Sequence, residues 1–218
     1  MLDTYSPLTL AVFGSLVVQT GSYVVCSLPS LVFQLLPFMD KYRIQSVSKK
    51  PTAADHLECL KLVFFSHFGI FYPLAFALYY VFGLGDLPMA WETMPRWHKI
   101  LGKLVLAMII EDTWHYFMHR TLHHKSIYGQ IHKIHHNFSA PFSFAAEYAH
   151  PIETAILGFG FFLPLIFLCD HLMFFWCWLA LRTGQACDSH SGYNVWNPLW
   201  LLPFYGGKSF VFSGADLL

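Results

Sequence analysis

The sequence predicts an all-α protein, a bundle of helices integral to a membrane, and three observations lead there. Apolar residues make up 56% of the 218-residue chain and charged residues only 12%. Soluble domains carry about 25% charged residues, so charge cannot cover this surface and much of it must face lipid. Aromatic residues are abundant (22 Phe, 11 Tyr, 7 Trp), as suits the interfacial belts of a membrane protein. The apolar residues also fall into runs of spanning length. Thirteen basic residues balance 13 acidic ones, which argues against nucleic acid as a partner, since that needs a basic footprint.

The elements follow in order. No charged residue occurs from Tyr5 to Met39. About 20 apolar residues cross a bilayer, so Leu8 to Leu28 is a first span. It lacks a basic segment before it and a small-residue cleavage site after it, and so reads as an anchor, not a removable signal. Lys41, Arg43, Lys49, Lys50 and Lys61 then cluster, which marks the cytoplasmic side. A second apolar run extends from Leu62 to Leu84, with Pro73 near its middle. Trp91, Arg96 and Trp97 read as interfacial. A third run, Leu104 to Ile110, passes into a histidine-rich segment at Glu111 without a breaker.

The last apolar stretch, Thr154 to Leu181, is interrupted by Pro164 and Asp170-His171. It is long enough for one span and too short for two. If the flanking His150 and His190 serve one site, both ends lie on one side. The stretch is then a re-entrant hairpin turning near Cys169 to His171, tolerated only when packed inside the bundle. Cys26, Cys59, Cys169, Cys177 and Cys187 form no Cys-x-x-Cys pair and read as buried free thiols.

The chain holds 13 histidines, and seven of them lie between positions 115 and 136. His115, His119 and His123 recur every four residues, one face of a helix, with Glu111 a turn earlier on the same stripe. His132, His135 and His136 have i, i+3, i+4 spacing and share another face. Two helices set together could aim five or six imidazoles at one point. His124 lies off the stripe; His56, His67 and His98 read as interfacial or core residues, and His171 as structural at the hairpin turn. Imidazole suits Fe, Zn, Cu and Ni alike. A zinc protease would need His-Glu-x-x-His, but Tyr116, Phe117 and Met118 stand between His115 and His119. An all-histidine site with more than four ligands favours two metals, and redox-active iron before zinc.

Several segments carry a family likeness: Glu111-Asp-Thr-Trp-His-Tyr-Phe-Met-His-Arg120, His132-Lys-Ile-His-His136, Ala140-Pro-Phe142, Ala146-Glu-Tyr-Ala-His-Pro151 and Asp188-Ser-His-Ser-Gly-Tyr193. Together they resemble the C-4 methylsterol monooxygenases of the fatty acid hydroxylase/sterol desaturase superfamily, from about Phe13 to Gly207. The resemblance implies membrane helices and an interfacial segment over 1–100, the hydroxylase-like domain over 101–207 and a divergent tail over 208–218. It implies a di-iron centre on the cytosolic face of the endoplasmic reticulum membrane, using O2 and NAD(P)H-derived electrons relayed by cytochrome b5. The implied reaction is oxidation of the C-4 methyl group of 4,4-dimethylsterols, with decarboxylation left to sterol C-4 demethylation partners. His115 and His119 match the first histidine box and His132, His135 and His136 the second, while His123 and His190 match further family histidines. Glu147 and His150 are expected to orient a ligand imidazole through its other nitrogen; Glu147 and Glu153 equally fit carboxylates at helix ends.

The family pattern also carries a third histidine box shortly after the equivalent of Pro203 to Gly207, whereas no histidine follows His190. The expectation is therefore an incomplete domain whose ligand set falls short of two irons. That leaves a monooxygenase, a non-catalytic membrane partner of the demethylation complex, or a sibling lipid hydroxylase. The sequon Asn137-Phe-Ser139 abuts the second box. With the box cytosolic it should stay unmodified in cells, and glycan found there by mass spectrometry would overturn the orientation.

Overall fold

A computed structural model describes residues 4–45, 50–81, 83–138 and 140–195. Ser139 of the sequon, the Pro203–Gly207 segment and the 208–218 tail lie outside the described residues. Five long helices carry the described fold: α1 (Thr9–Leu35), α2 (Ala53–Tyr80), α3 (Trp97–Leu122), α4 (Pro151–Leu168) and α5 (Leu172–Ser189). Among the described residues there is no strand, only an isolated bridge between Arg43 and Tyr193. α1, α2 and α4 are each long and apolar enough to cross a membrane, and the chain is a multi-pass membrane protein.

α1 shows why. Its buried residues include Ser15, Gln19, Tyr23, Ser27 and Ser30, a polar stripe at helical spacing. Its exposed residues include Val17 at 70% and Leu35 at 75%. This inside-out pattern belongs to a helix in lipid, where small and polar side chains meet other helices and apolar ones meet acyl chains. α2 starts from a capping box, Thr52 with Asp55, and continues through a π-helical turn at Ser66–Phe71 past Pro73 to Tyr80. Its second half stays helical because Pro73 enters at the first turn after the π-bulge, where its missing N–H has least to satisfy.

The last apolar stretch forms a hairpin where the sequence suggests one, with arms longer than the apolar count allows. The turn falls at Cys169–His171 as expected, but both arms are 18-residue helices, about 27 Å each at 1.5 Å per residue. Polar residues omitted from the apolar count, Glu153 in one arm and Arg182 to Ser189 in the other, are helical and supply the extra length. His171 closes the turn: its Nδ1 accepts from the Met173 N–H, and its Nε2 lies 3.1 Å from the Ala90 carbonyl.

Indole N–H groups stitch the bundle. Trp178 donates to the Phe161 carbonyl across the α4–α5 hairpin, and Trp176 donates to Ser15 Oγ on α1. Trp114 on α3 donates to the Ile156 carbonyl of α4. Gly160 makes that α3–α4 approach possible, since a Cβ there would sit 2.5 Å from Trp114 Cδ1. The C-terminal ends of α1, α3 and α5 thereby share one end of the bundle with the N-terminal end of α4. The basic segment following α1 joins them, through Ile44 N–H to the Gly192 carbonyl and Asn194 N–H to the Tyr42 carbonyl.

Candidate metal centre

The histidines collect at that same end. α3 projects His115 and His119 from its last turns, and His123 caps it, its N–H bonded to the His119 carbonyl. His124 turns away and caps the short helix Lys125–Tyr128, accepting from Ser126. That short helix reverses the chain, so His132–Asn137 lies back against the end of α3. This segment is a 3-10 helix, not an α-helix. Residues i and i+3 eclipse in such a turn, and the rings of His132 and His135 accordingly stack, 5.7 Å apart at 17°. His135 therefore points its Nε2 elsewhere than His132 and His136 do.

Two groups result. In the first, His119, His123, His132 and His136 each offer a ring nitrogen, all within 4.8 Å of one another. His132 is the hub: its Nε2 lies 3.1 Å from that of His119, 3.2 Å from that of His123 and 3.0 Å from that of His136. In the second, His135 Nε2 and His190 Nε2 are 3.0 Å apart. His115 joins neither as closely; its ring lies 5.6 Å from that of His119, and its Nδ1 is 3.6 Å from Glu111 Oε1.

The protonation pattern tests whether a cation fits. His132 Nδ1 faces the buried Glu153 carboxylate at 2.9 Å, so that nitrogen carries a hydrogen and Nε2 is the ring atom left to face the other imidazoles. His135 Nδ1 donates to the Tyr148 carbonyl and His190 Nδ1 to the Ala186 carbonyl, so their Nε2 atoms are lone pairs, facing each other. Lone pairs at such separations repel unless a positive centre lies between them. Two ligands about 2.1 Å from one ion and at right angles are about 3.0 Å apart. The donor set, imidazole throughout, is that of a borderline transition metal such as iron or zinc.

Burial enforces neutrality. It pushes the His119 imidazole down to about 2, with the neighbouring His132 and His115 adding to the effect, and His136 down to about 4. Burial holds His135 well below the ordinary imidazole range, and His123 and His190 are lowered for the same first reason. At neutral pH these imidazoles would have no proton to release before binding a metal. Below about pH 6.5 an unfolded chain takes up protons that the folded cluster refuses, so acid weakens the fold.

Each expected orienting residue has a definite place. Glu153, buried at the start of α4, orients His132. Glu147 does not reach a clustered imidazole; Gln19 and His67 occupy its carboxylate instead. His150 caps α4, accepting from the Ile152 N–H. Sequence reasoning missed the buried pair of Glu111 with Arg182, at 2.6 Å. Its signal was available, since Arg182 is the sole charged residue between Asp170 and Asp188, and a lone charge in an apolar run demands an internal partner.

Fold and site together define a helical membrane protein with a buried imidazole cluster that could hold metal. The fatty acid hydroxylase family description matches residues 104–212. Methylsterol monooxygenase 1 of Rattus norvegicus is 49% identical over 95% of this chain and 71% of its own length. The proteins of the same name from Gallus gallus and Danio rerio are each 46% identical over 96% of the chain, covering 71% and 72% of their lengths. No solved structure matches. The chain belongs to the fatty acid hydroxylase family, among its methylsterol monooxygenases.

Proposed function

We propose that this protein is a sterol C-4 methyl oxidase, which uses O2 to oxidise the C-4 methyl group of 4,4-dimethylsterols. The observation that carries the reading is the convergence of six imidazole Nε2 atoms, with the Nδ1 atoms of His132, His135 and His190 already engaged. His119, His123, His132 and His136 would hold one iron, and His135 and His190, with His115 beside them, would contribute to a second. Bound iron supplies the oxygen-activating chemistry that an unactivated C–H bond needs and no side chain provides. The residues around it orient and shield. Glu153 fixes the His132 tautomer, the Tyr148 and Ala186 carbonyls fix those of His135 and His190, and buried apolar neighbours limit water. A groove of about 460 Å³, lined in part by Leu62, Phe65, Ile134, Ala149 and Pro151, gives an apolar molecule an approach beside the second box.

The orientation follows from charge. Lys41, Arg43 and Lys50 border the end of the bundle that carries the imidazoles, and basic loops stay cytosolic. On this reading the site faces the cytosol at the endoplasmic reticulum, where cytochrome b5 would relay NAD(P)H-derived electrons and the sterol C-4 demethylation partners would take the product. The test is iron per chain on detergent-purified protein, with O2-dependent loss of a 4,4-dimethylsterol, beside His115→Ala/His135→Ala. Iron and turnover are expected in the parent chain, while the variant, which keeps the four-imidazole group, is expected to lose turnover and the iron of the second group. Iron equal in the two proteins, or iron without turnover, would overturn the proposal.

A further inference from the structure

We infer that Glu147 is a positioning residue for the His135–His190 pair, and that α1 and α2, which carry none of the clustered histidines, act on the centre through it. The inference rests on the metal-binding reading above.

Glu147 ends a short 3-10 segment, Ser143–Glu147, that is tied to the two N-terminal helices along its length. The Ser143 N–H donates to Ser30 Oγ, and the Tyr23 hydroxyl donates to the Phe144 carbonyl at 2.6 Å. The Glu147 carboxylate takes Gln19 Nε2 of α1 at 2.9 Å and His67 Nε2 of α2 at 2.7 Å. These bonds assign their own donors. A carboxylate only accepts, so His67 carries a hydrogen on Nε2, and its Nδ1 lies 3.0 Å from Thr20 Oγ1. Gln19 Oε1 in turn accepts from Thr183 on α5 at 2.9 Å.

His67 is 1% exposed and lies midway along a membrane-capable helix. Polar groups there are expensive, and apolar residues of similar volume would pack the same space at least as stably. What the network secures is the next carbonyl. Tyr148 O accepts from His135 Nδ1 at 3.1 Å, and this bond leaves His135 Nε2 bare and aimed at His190. Once the segment shifts, His135 is free to take the other tautomer, whose Nε2–H blocks that ligand position.

The test titrates cobalt(II) alone into the detergent-purified full chain, read by visible absorption and by metal per chain. Glu147→Ala is expected to behave as His135→Ala does, with binding at that pair about ten- to a hundredfold weaker and the four-imidazole group unchanged. Glu147→Gln is expected to restore binding, because its amide can still accept from His67 while Gln19 turns to suit. Should Glu147→Ala not fold, Glu147→Ala/His67→Leu removes both buried partners and should show the same selective loss. Parent-like binding in the alanine variant, or loss of both groups together in the folded variants, overturns the inference. A parent chain that binds no cobalt overturns it together with the metal-binding reading.

Discussion

Replacing His132 with alanine is expected to abolish metal retention at the four-imidazole group and to destabilise the fold in the same step. The hub nitrogen that faces the other three imidazoles disappears, and with it the geometry of a single ion. Among the described residues Glu153 loses its one hydrogen-bond partner, its Oε2 already has none, and it is 1% exposed. Leaving a buried carboxylate without its partner costs about 3–5 kcal/mol, a fall of roughly 10 °C in the unfolding midpoint for a chain of this size. The two losses separate in the double variant. His132→Ala/Glu153→Leu should recover most of the midpoint, since the orphaned carboxylate is gone, and should still hold no metal there. Glu153→Gln alone keeps an acceptor for His132 Nδ1 and should weaken metal binding about tenfold, as loss of an orienting carboxylate does. Metal content and thermal unfolding in detergent check all three. Parent-like metal retention by His132→Ala would dismiss the hub.

How much of this was legible beforehand depended on whether a period or a distant partner carried the information. The run of uncharged residues before Asp40 and the i+4 spacing of His115, His119 and His123 were readable because local geometry alone converts them into a span and a helix face. The turn at Cys169–His171 was readable because a polar pair interrupts an apolar stretch. The two-group division of the histidines was not, because His132, His135 and His136 fit an α-helical face equally well, and only the 3-10 geometry of the turn sends His135 towards His190. Glu153 and Glu147 looked interchangeable as carboxylates near helix ends. Their partners, His132 in one case and Gln19 and His67 in the other, lie 21, 128 and 80 residues away, separations at which no periodicity speaks.

The same reasoning makes Arg182→Met the severest change outside the histidines. Arg182 Nη2 meets Glu111 Oε1 at 2.6 Å, Glu111 is 2% exposed, and its Oε2 makes no hydrogen bond among the described residues. The variant leaves a buried carboxylate on α3 facing a thioether on α5, and the expected loss is again about 3–5 kcal/mol. If the pair served only to join these helices, Arg182→Met/Glu111→Leu would be harmless in every respect, since well-packed apolar replacements of buried ion pairs are often neutral or stabilising. But Glu111 Oε1 also stands 3.6 Å from His115 Nδ1, and an imidazole serving the proposed second metal position would need its rear nitrogen held. The double variant is therefore expected to unfold at close to the parent midpoint while binding metal about tenfold more weakly. Restored stability with parent-like metal affinity would reduce the pair to a helix tie. Stability that stays low in the double variant would mean the ion pair itself, not the relief of an unpaired charge, holds α3 against α5.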